Sequence, residues 1–569
     1  MCDLYDRQLN NKEREVRILE LYEPVHDRAK YQFKCRLRHD TLNKSPSYAA
    51  LSYHWGDMIY QQDLMVDSRV VRVSSNLLAA LEQLWKMKQR LIWVDFLCIN
   101  QSNNEEKSGQ VKMMDTIFAK AQWVFAWLGP EANGSDLAME MLGAPQASSQ
   151  QWEWPVEVET ACDAIIRLFS RPYFERMWII QEICRAQDLM VVCGQHAVAW
   201  KILSKRLDLL GNSVPAQYAR HLISQLRWMR RRIQHRDEAD ADTRLIPLII
   251  LSRKALAKDP RDKLYALLAL AEDGRAIIPT PNYLDPVEKV FQDTARGMIE
   301  KNDRTDVILL AHRSRGQRNL PSWVPDWANL TSRPPLWVEE SLVKKRPIMK
   351  AQNIVHGDVL EVRGYRHDVI VDFLDLDGFD VKPAKKDPHS ENLKWQSIVV
   401  NLCMGLTTGT TTDCGIQDVV QVMYELCRDS DDIEDAVKTH FSTWILHNRR
   451  RMVGLRTIQQ HLEKHVRMIG PSSRRDKESR KGARQTLEEG FERLERLRMK
   501  FAVTKDGSLR VVYRAAEKND HIYILENCPL PVVLRPSNRD RFRFIGEVFV
   551  SEHFKSTRYK SESKYISIE

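Results

Sequence analysis

The chain has 569 residues, 43% of them apolar, with 86 basic and 77 acidic side chains and a net charge of +9. That length is too great for one hydrophobic core and predicts two or three domains. So small a charge per residue argues against nucleic acid or an anionic membrane as a partner. No run approaches the roughly 20 apolar residues that span a bilayer, and Met1–Glu15 is charged where a signal peptide would be apolar. The ten cysteines include no Cys-x-x-Cys pair, and Cys98 and Cys184 lie within apolar runs. The expectation is a cytoplasmic protein with reduced, buried thiols, no disulfide frame and no membrane span.

The predicted elements begin with two flanking strands, Val16–Leu21 and Tyr31–Leu37, which alternate apolar and polar side chains. Four short apolar runs follow, at Ala49–Tyr53, Leu91–Val94, Trp123–Leu128 and Leu189–Val192, each reading as a strand buried on both faces. Helical patterns lie between them. Ser75-Asn76 caps a segment that carries Leu77, Leu81 and Leu84 on one face. Glu105–Ala121, Thr160–Arg167 and Tyr173–Arg185 are the other helices. Strands alternating with helices predict an α/β layer fold with a mostly parallel sheet.

Ligands of such sheets bind outside the carboxyl ends of the strands. His54, Trp55, Gly56 and Asp57 follow the first buried strand, Asp95 closes the second and Gly129 ends the third. Gly56 would admit a close backbone approach and Trp55 could stack on a flat ring; equally, the two could form a packed turn. On the 173–185 helix, Trp178 and Glu182 are one turn apart among Met177, Ile179, Ile180 and Ile183. A carboxylate in that setting needs a partner or its pKa rises. Glu182 is therefore either a core ion pair, with Arg171, Arg176 or Arg185 as its cation, or a working carboxylate.

Three blocks carry a family resemblance: Tyr48-Ala-Ala-Leu-Ser-Tyr-His-Trp-Gly56, Trp93-Val-Asp-Phe-Leu-Cys-Ile-Asn-Gln101 and Phe174-Glu-Arg-Met-Trp-Ile-Ile-Gln-Glu182, with Glu106 to Gln110 and Trp127-Leu-Gly129 between them. They resemble the fungal heterokaryon-incompatibility (HET) domain over residues 16–194. The HET domain is in turn similar to the TIR domain, whose sheet is parallel and flavodoxin-like. Leu51-Ser52-Tyr53 matches the first TIR box, Asp95–Gln101 has the place of the second, and Trp178 to Glu182 has the Trp-x-x-x-Glu spacing of enzymatic TIR domains. In those proteins the glutamate serves cleavage of the nicotinamide–ribose bond of NAD. The resemblance thus implies Glu182 as catalytic residue, with Ser52, Tyr53, Trp55, Gly56, Asp95 and Trp178 as ligand-binding candidates. NAD would be a substrate, with no cofactor required. One carboxylate suffices for that chemistry, because nicotinamide leaves without a general acid and only the ribosyl cation needs stabilising.

Other site classes lack support. The 16 histidines show no His-Glu-x-x-His spacing, so no metal site is expected. There is no Gly-x-Gly-x-x-Gly loop, Gly-x-Ser-x-Gly elbow or Gly-x-x-x-x-Gly-Lys-[Ser/Thr] loop. Cys98, between Leu97 and Ile99, reads as a buried small hydrophobe.

Beyond Gly194 the chain changes character. The arginine-rich Arg227–Arg236 is followed at once by Asp237, Glu238, Asp240 and Asp242, and reads as a solvated helix face. Asp259-Pro260 reads as N-cap and N1 of a buried helix. Pro321-Ser-Trp-Val-Pro-Asp-Trp327 reads as packing, with prolines stiffening an extended backbone under two tryptophans. Strands are expected at Val359–Tyr365, Val369–Phe373, Phe501–Val512, His521–Leu525, Pro531–Leu534 and Phe542–Val550. A polar loop is expected at Thr407–Thr412, a helix near Asp418–Cys427, a mobile charged loop at 471–484 and an amphipathic helix through Leu487, Phe491 and Leu494. Where the HET family commonly has a Lys-Gly-Asp turn, this chain has Lys518-Asn519-Asp520. The expected domains are a HET domain at 1–200 with its core at 48–194, a mainly helical extension at 201–345 and an α+β region at 346–569. The resemblance implies a role in fungal non-self recognition and programmed cell death. Two mechanisms follow: NAD hydrolysis through Glu182, or a non-catalytic adaptor that self-associates and binds protein partners.

Overall fold

Five consecutive buried residues, Ala49 to Tyr53, lie at the middle of the N-terminal sheet, and the strands on either side are apolar for the same reason. The computed structural model describes residues 4–332, 353–373, 452–457, 499–549 and 563–569, with breaks at 24, 28–29, 45–46, 57–60, 144–157, 210–216, 236–242, 303–304, 312–317, 454–455, 506–508 and 539. Asp57, Thr407–Thr412, Asp418–Cys427, the charged loop at 471–484 and the helix through Leu487 lie outside the described residues. The chain divides into two compact units: Met1–Gly297 with Trp327–Pro334 and Val338–Arg346, and Met298–Asp326 with Pro335–Trp337 and Pro347–Glu569.

In chain order the first unit contains β1 (Glu15–Leu21), a hairpin of β2 (Val25–Asp27) and β3 (Lys30–Gln32), β4 (Lys34–Thr41), β5 (Ala49–Tyr53) and a second hairpin of β6 (Gln61–Val66) and β7 (Arg69–Ser74). Then come α1 (Ser75–Lys86), β8 (Leu91–Trp93), α2 (Asp95–Cys98), α3 (Asn104–Lys120), β9 (Trp123–Trp127), α4 (Ser135–Gly143), α5 (Val158–Phe169), α6 (Ile179–Arg185), β10 (Leu189–Cys193) and β11 (His196–Ala199). The helices α7 (Trp200–Leu209), α8 (Gln217–Gln234), α9 (Leu245–Ser252), α10 (Asp262–Tyr265) and α11 (Gly274–Ile277) follow, and then α12 (Val287–Asn302), whose residues from Met298 onward count with the second unit.

Nine strands form one sheet in the order β11-β10-β9-β5-β8-β1-β4-β6-β7. Its centre, β10-β9-β5-β8, is parallel throughout. Strand β1 joins antiparallel to β8 and β4, and hairpins form both edges. Along the parallel centre the first strand in sequence, β5, has the second, β8, on one side and the third, β9, on the other. The order therefore reverses at β5, and the crevice outside the carboxyl ends of β5 and β9 is the topological switch point.

The α/β class agrees with the expectation, and several boundaries differ for identifiable reasons. The cap of α1 is Ser74, whose Oγ accepts from Leu77 N at 3.2 Å, which leaves Asn76 for other bonds. The expected continuous helix at 173–185 is broken. Residues 172–175 form a 3-10 turn, and the main chain of 175–177 pairs with Leu256, Leu256 N donating to Glu175 O at 2.5 Å and Met177 N to Leu256 O at 2.8 Å. Groups engaged with a neighbouring strand cannot also serve a helix. Asp259 and Pro260 precede a turn, and α10 itself starts at Asp262. Arg230 departs from the solvated face expected of its run, since it donates to Ile183 O and, at 2.9 Å, to Gln187 O, capping the carboxyl end of α6. The edge strands β6, β7 and β11 escaped the periodicity reading because β6 opens with three exposed polar residues and β11 has only four.

β1 does not alternate as expected either, because Arg17 is 1% exposed. Its guanidinium meets Glu106 on both carboxylate oxygens, at 2.6 and 3.1 Å, and donates to Cys98 O at 3.3 Å. Glu106 also accepts from Asn100 N at 2.7 Å, and Gln110 Nε2 reaches Glu15 O at 3.1 Å. One bidentate pair thus locks β1, the turn after α2 and the first turn of α3.

In the second unit, β12 (Ile354–His356) and the long β13 (Val359–Phe373) are followed by the short pair β14 (Met452–Val453) and β15 (Arg456–Thr457). Then come β16 (Met499–Thr504), β17 (Leu509–Tyr513), β18 (His521–Leu525), β19 (Val532–Pro536), β20 (Arg541–Phe549) and β21 (Lys564–Ile568). The hairpin expected at 359–373 is instead the one strand β13, irregular between Arg366 and Asp368 and between Ile370 and Asp372. Those bulges bend it far enough to pair with both β16 and β18, so the ladder β13-β16-β17-β20-β19-β18 closes on itself. Its interior holds Ile370, Ala502, Val512, Ile522, Val533 and Val548. The expected strand 501–512 is the hairpin of β16 and β17. Asn519 has φ +69°, a conformation asparagine tolerates, and so replaces the glycine of the family turn, while the buried Asp520 is gripped by Arg535 at 2.8 and 3.0 Å. Trp323, fully buried, donates to Asp358 O at 2.8 Å in this unit; Trp327, 1% exposed, donates to Phe291 O at 3.2 Å in the first.

Among the described residues no helix is long and apolar enough to cross a membrane, and no cluster of side chains is suited to a metal ion. The described cysteines are free thiols, all but Cys528 buried.

Removing one side of a buried, hydrogen-bonded ion pair leaves the other charge unmatched. Arg17→Ala or Glu106→Ala is expected to destabilise the first unit by about 3–5 kcal/mol, and Arg17→Met with Glu106→Leu by much less. Denaturant unfolding of the three variants checks this; equal losses would show that the pair's charge is not the operative feature.

Candidate functional site

β5 delivers Ser52 and Tyr53 to its carboxyl end, in register with Ala126 and Trp127 of β9. Ser52 Oγ donates a short hydrogen bond to Glu182 Oε2. Since that uses the only hydroxyl proton of Ser52, Tyr173 O–H is the donor in its 2.8 Å contact with Ser52 Oγ. The chain Tyr173 to Ser52 to Glu182 is dry, with the three residues 1%, 1% and 2% exposed. Arg176 is the cation beside it, its Nη1 3.9 Å from Glu182 Oε2 and donating to Tyr53 O. Of the other arginines proposed from sequence, Arg171 binds the carbonyls of Leu128, Pro130 and Ala132, and Arg185 faces Asp115 at 3.7 Å.

Asp95 is the second carboxylate of this centre. It starts α2, accepts from Trp55 Nε1 at 2.9 Å and from Phe96 N at 2.7 Å, and is partly open to solvent. Desolvation pushes its pKa up, against the pull of Arg176 and Trp55. Burial pushes Glu182 up to about 7, with Arg176 and Ser52 opposing and the Asp95 charge adding to the rise. Arg176 therefore balances two acids with one charge, and near neutral pH Glu182 is poised between its two forms.

The mouth of the switch point is built separately. Gly56 has φ +75° and Gly129 φ +109°, and Asn76 lies against both. A Cβ on Gly129 would stand 3.3 Å from Arg171 Nη1, so a side chain there meets both strain and crowding. Asn76 donates to His54 O at 2.6 Å and accepts from Trp127 Nε1 at 2.9 Å, tying the ends of β5 and β9 to the start of α1.

The sequence-predicted residues thus separate into groups. Ser52, Tyr53, Asp95 and Glu182 converge around Arg176, with Trp55 attached through Asp95. Gly56 belongs to the mouth. Trp178 leaves the group: its Nε1 donates at 3.0 Å to Asp262 Oδ2, whose other oxygen accepts from Tyr283 O–H at 2.5 Å. Burial lifts Asp262 to about 6. The Trp-x-x-x-Glu spacing therefore works here as a two-sided brace, Glu182 to β5 and Trp178 to the segment that follows α9. Sequence reasoning missed Tyr173, Asn76 and Asp262 as members. Tyr173 adjoins the third block and Asp262 sits in the Asp-Pro-Arg-Asp run, but neither position carries a local signal that it faces another acid or hydroxyl. Cys98 is fully buried and held up at about 12, which suits its reading as a hydrophobe.

The folded-state pKa of Glu182 lies above its ordinary value of 4.5. Between those values the folded chain keeps a proton that the unfolded chain releases, so this stabilisation is full at low pH and is lost as pH rises through about 7. Glu182→Gln keeps an acceptor for Ser52 and cannot ionise. Its stability relative to wild type is expected to rise by about 1–3 kcal/mol between pH 5 and pH 8. Parallel melting curves across that range test this; a constant difference would mean that Glu182 is ionised throughout.

Residues 48–182 match the family described as Heterokaryon incompatibility protein (HET). Over 366 residues the chain is 28% identical to heterokaryon incompatibility protein 6, OR allele, of Neurospora crassa. That match takes in 50% of this chain and 54% of the relative, so the chain spans about half the length of the curated relative it matches. No solved structure matches. The family span opens at Tyr48, just before β5, and closes on Glu182, the residue that reaches back to β5. Residues 48–182 are thus the part of this chain that carries a heterokaryon incompatibility (HET) domain.

Proposed function

We propose that this protein acts in fungal non-self recognition of the heterokaryon-incompatibility type, with its HET domain driving a cell-death response. The family match and the name of the Neurospora relative support the role. For mechanism, the carrying observation is that Glu182 is 2% exposed and engaged by Ser52. A carboxylate so enclosed holds β5 to α6 and offers no substrate a route to it. The reading that fits this arrangement is a signalling module that self-associates and binds protein partners, with Glu182 as its central fastener.

A second reading is NAD hydrolysis of the TIR kind, and a specific feature favours it. The strand order β8-β5-β9-β10 is that of a flavodoxin-type sheet, and two carboxylates with raised pKa, Glu182 and Asp95, lie at the carboxyl ends of its central strands. In this reading assembly opens the centre, Glu182 meets the ribosyl cation, and Ser52, Tyr53, Trp55, Gly56 and Asp95 line the substrate; Trp178 positions α6.

Purified full-length protein at high concentration, wild type beside Glu182→Gln, separates the two when NAD and free nicotinamide are followed. Neither variant should consume NAD under the signalling reading, while nicotinamide release by wild type alone would replace it with the enzymatic one. Expression in a fungal host tests the role itself: growth arrest is expected, and normal growth of cells that accumulate the folded protein would remove it.

A further inference from the structure

Within the second unit, β13 and β20 are joined in two places. At one end the hairpin β16–β17 spans them, pairing with Ile370–Phe373 of β13 and with Val548 and Phe549 of β20. At the other end β21 does so alone, antiparallel to Leu360–Gly364 and parallel to Arg541 and Phe542. Ile566 and Ile568 of β21 are 3% and 0% exposed, while Lys564 and Tyr565 lie at the surface. A Cβ on Gly364 would stand 3.1 Å from Ile566 Cδ1, so the slot is cut close to this strand. Glu569 fastens its end: the N–H donates to Phe542 O at 2.8 Å, the carbonyl accepts from Ser322 N at 3.0 Å, and the carboxylate accepts from Ser537 Oγ at 2.6 Å.

An empty slot would strip partners from the main chain of 360–364 and 541–542, so a strand has to fill it. Any copy of this chain supplies the right one. What holds β21 to its own slot is the connection from β20, and that connection is short. Because β21 runs parallel to β20, the chain leaving Phe549 must come back along the whole of β20 before it reaches Lys564. At the rise of a strand that return is roughly 35 Å. Residues 550–563 reach roughly 50 Å when fully extended. Parallel neighbours need a dozen or more residues to be joined at all, so this crossover stands near the minimum. A strand that passes to a neighbouring copy keeps every bond it makes here, and its connection no longer has to double back.

We propose that the slot between β13 and β20 takes the β21 strand of a second copy of this chain, so that two copies exchange strands reciprocally. The proposal rests on the signalling reading above and gives its self-association a route. Ile566 and Ile568 are the anchors, and the edges of β13 and β20 are the surface that receives them.

Glu361 and Ser567 are half-buried and directly opposed across β13 and β21, a spacing that a disulfide can bridge. Full chains carrying Glu361→Cys are mixed at high concentration with full chains carrying Ser567→Cys and mildly oxidised, and light scattering gives the mass of the unmodified chain. A covalent dimer is expected from the mixture and from neither variant alone. Both changes in one dilute chain should close within that chain, which shows that the two positions are in reach. Deleting 553–558 leaves a connection of roughly 30 Å, less than the return it must make, and should convert the chain to the dimer. A Gly/Ser insertion that doubles the connection should cut the mixed disulfide several-fold. Association of the wild-type chain without a mixed disulfide would overturn strand exchange and leave self-association to another surface. A chain that stays monomeric and gives no mixed disulfide would overturn both, and a monomeric deletion variant would overturn the exchange.

Discussion

A carboxylate with almost no exposure, fastened to a serine of the central strand, is the constraint around which the HET domain is arranged. Glu182 can be buried only because Ser52 donates to it, Tyr173 supplies Ser52 in turn, and Arg176 stands 3.9 Å away. Each of these needs its own placement. Tyr173 comes from the 3-10 turn, Glu182 from α6, and Arg176 from the three-residue interruption between them. The break in the helix is what allows Tyr173 and Glu182, nine residues apart in sequence, to meet on one hydroxyl with Arg176 beside them. The interruption is stable because Leu256 takes up the main-chain groups that the helix gives up.

From this point the rest of the first unit follows by attachment. α6 is held to β5 by Glu182, to the turn before α10 by Trp178, and to α8 by Arg230 at its carboxyl end. On the far side of the sheet centre, the Arg17–Glu106 pair does the same for β1 and α3. The residues 48–182 are therefore not the whole of the folded sheet. β1, β4, β10 and β11 lie outside that span and complete it, and Arg17 is needed to neutralise Glu106 within it.

How much of this was legible in sequence depends on the range of the interaction. The buried strands of the parallel centre were readable because a strand covered on both faces is apolar at every position, and β5 was located to the residue. Edge strands were not, since β6 begins with exposed polar side chains and carries no alternation. Helix α6 was drawn too long because periodicity reports which residues are apolar, and says nothing of a partner strand that arrives 80 residues later and captures the backbone at 175–177. Glu182 was found because a glutamate between isoleucines is conspicuous. That Trp178 would turn to Asp262 was beyond reach, because both side chains have ordinary neighbours in sequence and meet only through the fold.

The central group also has a property that stability alone does not demand. Buried ion pairs are replaceable by apolar residues of like volume without loss, and often with gain. Here the polar group is not even a balanced pair: Arg176 is the cation beside both Glu182 and Asp95, and desolvation pushes both acids up. A single guanidinium that serves two acids is a point where small changes of charge alter the hold of α6 on β5. The grip of Glu182 on Ser52 thus depends on the protonation of one carboxylate and on the placement of one arginine.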